Sequence, residues 1–263
     1  MDLKNKVVWI TGASSGIGEA LTYKMNQLGA KLIISSRKSE ALYQVKTNCK
    51  GSPLDIHVLP LDLETTVSLP DIADAAMKIY GHVDMIIHSG GVSQRSLAIE
   101  TDINVAQRIM NINFWGAVVL TQAILPRMVD RSSGHIVVIS SLVGKFGTKF
   151  RSAYSASKHA LHGYFDSLRT EITPKIKITI VCPGFIKTNV TYNALIADGS
   201  RQNTMDDAQA NGMSANDCAE EILNAIQAGK QEVYIGGREK YGVLIKRFFP
   251  GVFAKIIRNA KVT

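Results

Sequence analysis

Tyr154 and Lys158 stand four residues apart in a stretch with helical pattern, which puts both on one face. A free tyrosine ionises near a pH of about 10 and moves protons poorly at neutrality. A neighbouring ammonium favours the phenolate and lowers that value, so the two form a candidate proton-transfer unit. Taken alone, the Tyr-x-x-x-Lys spacing is common on helix surfaces. Ser140 and Ser141 close the strand-like run before this helix. In open α/β sheets ligands bind beyond the carboxyl ends of the strands, where a serine hydroxyl can meet a substrate oxygen. Asn113 lies inside a long helical stretch. Asparagine is a mediocre residue there and a buried one needs a reason. A distorted turn with a water relay is one such reason; ordinary bonding to the backbone is the other.

A second group of residues suits a phosphate. Thr11-Gly12-Ala13-Ser14-Ser15-Gly16-Ile17-Gly18 lies between the first strand-like run and the first helical one. Glycines let a backbone approach a pyrophosphate, and a helix N-terminus offers N–H donors and a positive dipole end. The spacing is Gly-x-x-x-Gly-x-Gly, not the more common Gly-x-Gly-x-x-Gly. The second strand runs out as Ile33-Ile34-Ser35-Ser36-Arg37-Lys38. NAD enzymes place a carboxylate near this point for the ribose 2′-hydroxyl. Here there is none, whereas Ser36 and Arg37, with Lys38 beside them, suit a 2′-phosphate. That charge pattern favours NADP(H) over NAD(H). Asp62 ends the third strand and Leu63 follows. Asp62 can accept from an adenine amino group with Leu63 packed nearby, or it can cap the next helix.

These groups need elements to carry them. Strand-like runs fall at Val7–Ile10, Lys31–Ser35, Ile56–Pro60, Met85–His88, Ile136–Ser140 and Lys177–Cys182, with a last short one at Val233–Ile235. Helical stretches intervene at Ser15–Leu28, Asn104–Val129 (with Pro126 near its end) and Ser155–Thr173, and another precedes Met85. Short apolar strands alternating with helices predict a single α/β domain over residues 1–263, a Rossmann-type doubly wound parallel sheet with helices on both faces. Tyr192–Gly212 lacks periodicity, and loops of that length are uncommon unless functional or mobile.

The chain has 263 residues, 46% of them hydrophobic and 20% charged, which excludes a disordered chain. Cys49, Cys182 and Cys218 match neither a zinc site nor a secreted disulfide framework, so a reducing cytoplasmic setting is expected, with no metal. Met1–Lys6 is polar and leads into a strand, and no apolar run is expected to span a membrane. The net charge of +8 fits attraction of an anionic ligand or a plain basic surface. Without an aromatic-interleaved basic motif, nucleic acid is not expected as a partner.

Taken together, these residues resemble the short-chain dehydrogenase/reductase family over nearly the whole chain, from Lys6 to about Ile235. Thr11–Gly18, Asn113, Ser141 and Tyr154–Lys158 occur in the family's order, with Ser141 thirteen residues before Tyr154. Pro183-Gly184-Phe185-Ile186-Lys187-Thr188 is similar to the family's Pro-Gly-x-x-x-Thr segment. The resemblance implies an oxidoreductase that moves a hydride between a nicotinamide and a carbonyl or secondary alcohol. Tyr154 would be general acid in reduction and base in oxidation. Lys158 would lower the tyrosine pKa and bond the nicotinamide ribose, Ser141 would polarise the carbonyl, and Asn113 would hold a relay water. Gly12, Ser14, Ser15, Gly16, Ile17, Gly18, Ser36, Arg37, Asp62, Leu63, Ser89, Gly91, Tyr154, Lys158, Pro183, Gly184, Ile186 and Thr188 would bind the cofactor, Ile186 and Thr188 at the carboxamide. One departure follows the fourth strand. The family's Asn-Asn-Ala-Gly is His88-Ser89-Gly90-Gly91 here. Ser89 replaces only part of an asparagine's bonding, and the methyl lost at Gly90 is expected to loosen the adenosine side or the central sheet.

A narrower resemblance, carried by Phe150–Tyr154 and Ala197–Arg201, is to the member 7B branch of the dehydrogenase/reductase family. It implies a hydrophobic or lipid-like substrate. Ser93, Ser141, Leu142, Val143, Phe146, Phe185 and Tyr192 flank the motifs and are candidate substrate contacts. Arg95, Lys145, Lys149 and Arg151 would favour an anionic substrate if they faced the pocket. Residues 238–263 form a basic amphipathic extension broken by Pro250-Gly251, which suits an oligomer contact or a lid before a peripheral membrane contact. The resemblance also implies a homodimer or homotetramer built on the long helices. The alternative activities are a 3-oxoacyl reductase of fatty-acid metabolism and a catalytically silent NADP-binding regulator. The intact Asn113, Ser141, Tyr154 and Lys158 set speaks against the second.

Overall fold

The structure, a computed structural model, describes residues 2–260. In chain order its main elements are β1 (Val7–Thr11), α1 (Gly16–Gln27), β2 (Lys31–Ser35), α2 (Ser39–Asn48), β3 (Ile56–Val58), α3 (Leu69–Ile79) and β4 (Met85–His88). Then come α4 (Ile103–Met110), a π turn (Asn111–Trp115), α5 (Gly116–Asp130), β5 (Gly134–Ile139), α6 (Ser152–Glu171) and β6 (Ile176–Pro183). The chain closes with β7 (Ile186–Lys187), α7 (Asp207–Ala210), β8 (Met213–Ser214), α8 (Ala215–Gln227), β9 (Glu232–Ile235), α9 (Gly242–Phe248) and α10 (Pro250–Asn259).

Seven strands form one sheet in the order β3-β2-β1-β4-β5-β6-β9, every neighbouring pair parallel. The strands are apolar on both sides because both faces are covered, and β1 and β4 are buried along their whole length. Side chains alternate between two cores. Trp9, Ile33, Ile86, Ile136 and Ile178 face one core, which α3, α5 and α6 close with Leu69, Leu120, Ile124, Leu161 and Phe165. Val8, Ile10, Leu32, Ile87 and Val181 face the other, closed by Leu21, Met25, Leu42, Ile222 and Ile226 of α1, α2 and α8. After β3 the chain returns to the middle and builds outwards in the opposite direction. The reversal lies between β1 and β4, whose ends Thr11 and His88 are paired. That is where an open α/β sheet has its crevice.

Several boundaries differ from the sequence expectation. β3 stops at Val58 rather than Pro60, and α6 begins at Ser152 rather than Ser155, so Tyr154 falls in its first turn. The paired two-residue strands β7 and β8 are too short to leave any periodicity. Contrary to the expectation about membrane spans, the continuous helix Ile103–Asp130 is long and apolar enough for one by length and composition. Half of its most apolar window is buried inside the molecule. The extension is described to residue 260, its last three residues lying outside the described ones. It folds as α9 and α10, with Phe253 buried against Phe146 and the side chains of Phe248 and Phe249 exposed.

Candidate active site

A cleft of about 870 Å³ opens at the carboxyl ends of the central strands. Its floor is made by two turns that pass very close to each other. Gly12 leaves β1 with φ +68°, and a β-carbon there would lie 2.6 Å from the Cα of Gly90, in the turn after β4. A β-carbon on Gly18, in the first turn of α1, would overlap the carbonyl oxygen of Gly12. The glycine spacing therefore lets the β1 turn fold back under the helix N-terminus and against β4. Gly12, Ser14, Ser15, Gly16 and Ile17 line the cleft, while Gly18 supports them from below.

Beyond β2, Ser36 and Arg37 line the same cleft, as does Lys38. The hydroxyl oxygen of Ser36 is out of contact with solvent and has no hydrogen-bond partner among the described residues. A buried hydroxyl costs free energy until something bonds it. With the exposed Arg37 next to it, this end of the cleft fits a phosphorylated ribose. Asp62 also lines the cleft, and its Oδ1 accepts from the backbone N–H of Glu64 at 3.0 Å; this is a local turn bond and not the helix cap of the alternative reading, since α3 begins only at Leu69.

The expected loosening at His88–Gly91 is not what the structure shows. Leu63 places its Cδ1 where a β-carbon on Gly90 would be, so the missing methyl is replaced from another turn. His88 is bonded through Nε2 to the Thr121 hydroxyl at 2.9 Å. Burial pushes its imidazole down to about 3, so the ring is neutral. Ser89 and Gly91 both line the cleft.

The proton-transfer candidates converge at the other end. Tyr154, in the first turn of α6, and Lys158, one turn on, line the cleft with Ser141, which follows β5. Burial raises the Tyr154 pKa above its ordinary value; a hydrogen bond with Ser141 and the charges of Arg151 and Arg95 pull against that rise. The Lys158 amine lies 5.7 Å from the centre of the tyrosine ring and donates to the carbonyl of Ile139 at 2.8 Å. Burial holds it down to about 8. The Ser141 hydroxyl donates to the Pro183 carbonyl at 3.3 Å, which ties β5 to the Pro183–Thr188 segment. Pro183, Gly184, Ile186 and Thr188 all line the cleft.

Asn113 sits in the π turn that interrupts the long helix, the distorted turn that its position suggested. Its Oδ1 accepts from Val92 N–H at 2.8 Å, and its Nδ2 donates to the Val92 carbonyl at 2.9 Å and to the Ser157 hydroxyl at 3.0 Å. The side chain thus does bond to backbone, clamping the turn after β4 to α6 beside Lys158.

The substrate expectations divide. Ser141 and Tyr192 line the cleft; Ser93, Leu142, Val143, Phe146 and Phe185 do not. Ser93 is buried and accepts from Arg95 at 2.8 Å, and Phe146 stacks on Phe253 at 5.1 Å between ring centres. Flanking a motif in sequence put these residues near the cleft, but Ser93 is buried, Leu142, Val143 and Phe146 pack into the core, and Phe185 is half-buried off the lining. Lys145 pairs with Glu232 at 2.6 Å, and neither Arg95 nor Arg151 is on the lining. No described residue of the extension lines it either. The walls that sequence reasoning missed come mostly from the aperiodic stretch, as Asn193, Leu195, Ser200, Arg201 and Gln209, with Val190 just before it. Its unusual length was the one signal pointing there.

With this geometry in hand, comparisons with known proteins agree. A family model described as short chain dehydrogenase matches residues 6–197. The mouse protein Dehydrogenase/reductase SDR family member 7B is 39% identical over 263 residues, covering 98% of this chain and 81% of its own. A short chain dehydrogenase/reductase from Burkholderia phymatum in complex with NAD shares the fold, with a TM-score of 0.84 at 20% identity, over 100% of this chain and 99% of that one. So does a serine dehydrogenase complexed with NADP+, with a TM-score of 0.77 at 22% identity, over 88% of this chain and 94% of that one.

Proposed function

The chain belongs to the short-chain dehydrogenase/reductase family, in the branch of the member 7B relatives, and on that premise we propose that it is an NADP(H)-dependent oxidoreductase interconverting a carbonyl and a secondary alcohol. The observation that carries this reading is the meeting of Ser141, Tyr154 and Lys158 on one end of a cleft whose other end holds Arg37 and the unpartnered Ser36 hydroxyl. Gly12–Ile17 would hold the pyrophosphate, Ser36 and Arg37 the 2′-phosphate, and Lys158, Ile186 and Thr188 the nicotinamide half. The bound nicotinamide supplies or takes the hydride; the chain supplies position and protons.

Burial keeps the Tyr154 phenol protonated at neutral pH, so in reduction it starts as a proton donor. Ser141 spends its hydroxyl on a long bond to Pro183, one that a substrate oxygen can replace without leaving a buried charge unpaired. Lys158, with a pKa near 8, is mostly charged at neutrality and keeps hydrogens beyond the one given to Ile139. An apolar substrate body would rest on Val190, Tyr192 and Leu195, which supports the hydrophobic class for the substrate.

The test is a fluorescence titration with NADPH and NADH, then turnover on a carbonyl panel that includes apolar ketones and 3-oxoacyl thioesters. NADPH should bind more tightly. Arg37→Ala should narrow the preference at least tenfold, since a charge-assisted bond contributes about 1.5–3 kcal/mol. Tyr154→Phe should keep the binding and lose roughly 10²-fold or more in kcat. Equal affinity for NADH in the wild type refutes the role of Arg37, and full turnover by Tyr154→Phe refutes the mechanism.

A further inference from the structure

The extension after β9 carries apolar side chains that the fold does not use. Val243 and Ile245 of α9, with Phe253 and Ile257 of α10, turn inward and pack on the core beneath. Phe253 stacks on Phe146, and Lys246 donates to the Lys145 carbonyl at 2.5 Å. Glu239, before α9, turns inward as well, where its Oε1 accepts from the N–H groups of Phe185 at 3.2 Å and Gly237 at 3.0 Å. The two short helices are thus fixed in place beside the Pro183–Thr188 segment. Their outer side is different. Tyr241, Leu244 and Phe248 are exposed, at spacings of three and four, and so are Phe249, Val252 and Ile256 at the same spacings. Such spacings return to one face of a helix. The two stripes meet at Phe248 and Phe249, which are 65% and 63% exposed. Single exposed apolar residues are ordinary, but a run of six large ones marks a surface that something covers.

The charges around the stripes have one sign. Residues 238–260 hold six cations, Arg238, Lys240, Lys246, Arg247, Lys255 and Arg258, and a single carboxylate, the inward-turned Glu239. None of the six has an ion-pair partner among the described residues. Lys240 and Arg247 lie over the rings of Tyr241 and Phe248, at 6.0 and 5.9 Å from the ring centres, so cations and apolar groups share the surface. This mixture decides among the roles open to the segment. A lid has to reach the cleft, and no described residue of the extension lines it. A second copy docked face to face would bring two such sets of cations together with no acid to match them, and protein interfaces are poor in lysine. The surface of an anionic bilayer meets both demands. Aromatic and aliphatic groups enter at the acyl boundary, and Lys and Arg meet the headgroups above it.

We propose that the outer face of α9 and α10 is a docking surface for an anionic lipid membrane, on which the chain sits peripherally with the two apolar stripes inserted and the cations at headgroup level. The proposal stands on this face alone and does not depend on the reaction. The inward contacts of Phe253 and Glu239 join the surface to the segments that follow Ser141 and Pro183, so the catalytic end of the cleft would travel with it to the lipid.

The test is co-sedimentation of the full chain with vesicles of phosphatidylcholine alone and of phosphatidylcholine mixed with phosphatidylserine. Binding should appear with phosphatidylserine and weaken at least tenfold when the salt is raised to about 0.5 M. Phe248→Ser combined with Phe249→Ser should also weaken it at least tenfold, since neither ring then enters the lipid. Lys255→Gln combined with Arg258→Gln should do the same through the headgroups. All four side chains are exposed, so both variants should keep the wild-type melting temperature. No binding by the wild type overturns the proposal, as does equal binding to the two kinds of vesicle, or binding that the aromatic variant retains. Self-association of the wild type that the aromatic variant abolishes, without vesicle binding, assigns the face to a second copy instead. Full turnover by Tyr154→Phe would remove the functional reading and leave the vesicle result standing.

Discussion

At position 88 an imidazole replaces the first asparagine of the family's Asn-Asn-Ala-Gly segment, at the end of a central strand. It is bonded to Thr121 through one nitrogen, and the other nitrogen, Nδ1, is buried without a partner among the described residues. The folded chain resists protonating His88 down to about 3, whereas an ordinary histidine takes its proton at 6.5. Between those values the unfolded chain binds a proton that the folded chain refuses, so stability present above 6.5 is lost as the pH falls. One such group gives a slope of at most about 1.4 kcal/mol per pH unit. His135, pushed down to about 4 by burial and by Lys177, adds to it with the same sign. His88→Asn should therefore flatten the fall in melting temperature on acidification below about 6.5; an unchanged slope would show that the acid sensitivity arises elsewhere. The departure from the family pattern was legible in the sequence. Its remedy was not, because the Leu63 side chain that fills the space above Gly90 comes from the turn after β3.

Among the elements, strands were the easiest to read, since burial on both faces turns them into unbroken apolar runs such as Val7–Ile10 and Met85–His88. Helix starts were harder where the capping group comes from elsewhere in the chain. The start of α6 at Ser152 has no side-chain cap from Arg151; Gln94, far away in sequence, does that work. The glycine turn, the cofactor segment and the tyrosine pair carried their spacing openly, and the cleft lining contains nearly all of them. The substrate wall did not, because an aperiodic stretch takes its shape from partners such as Ser93 and Gln94 rather than from a repeat of its own. The π turn is an element-scale device as well. By holding both polar groups of Val92, Asn113 joins the long helix to the β4 turn. Asn113→Ala would remove both side-chain partners of that half-buried peptide, so a loss of about 1 kcal/mol or more of stability is expected, read from the shift of the urea midpoint. A loss within a few tenths of a kcal/mol would show that the turn holds its own shape.

For the molecule as a whole, the residues around the cleft come from both sides of the point where the sheet reverses direction: the turns after β1, β2 and β3 on one side, and those after β4, β5 and β6 on the other. A nucleotide held there ties the two halves together and binds only the folded chain. Saturating NADPH, at about a hundred times its dissociation constant, should then add about 2.7 kcal/mol, read as a rise in melting temperature of roughly 5–10 °C. NADH at the same concentration should give a smaller rise, and equal rises would argue against the phosphate site at Ser36 and Arg37. The glycine crossing of Gly12 over Gly90 has a further consequence. Where Gly12 passes Gly90 the halves touch backbone to backbone, and a nucleotide in the cleft would add contacts to both, a removable part of what holds them together. Proteolysis feeds on the open population, and that population shrinks as the nucleotide accumulates. The abundance of this protein would then follow the supply of its own cofactor, with scarcity removing the enzyme as well as slowing it.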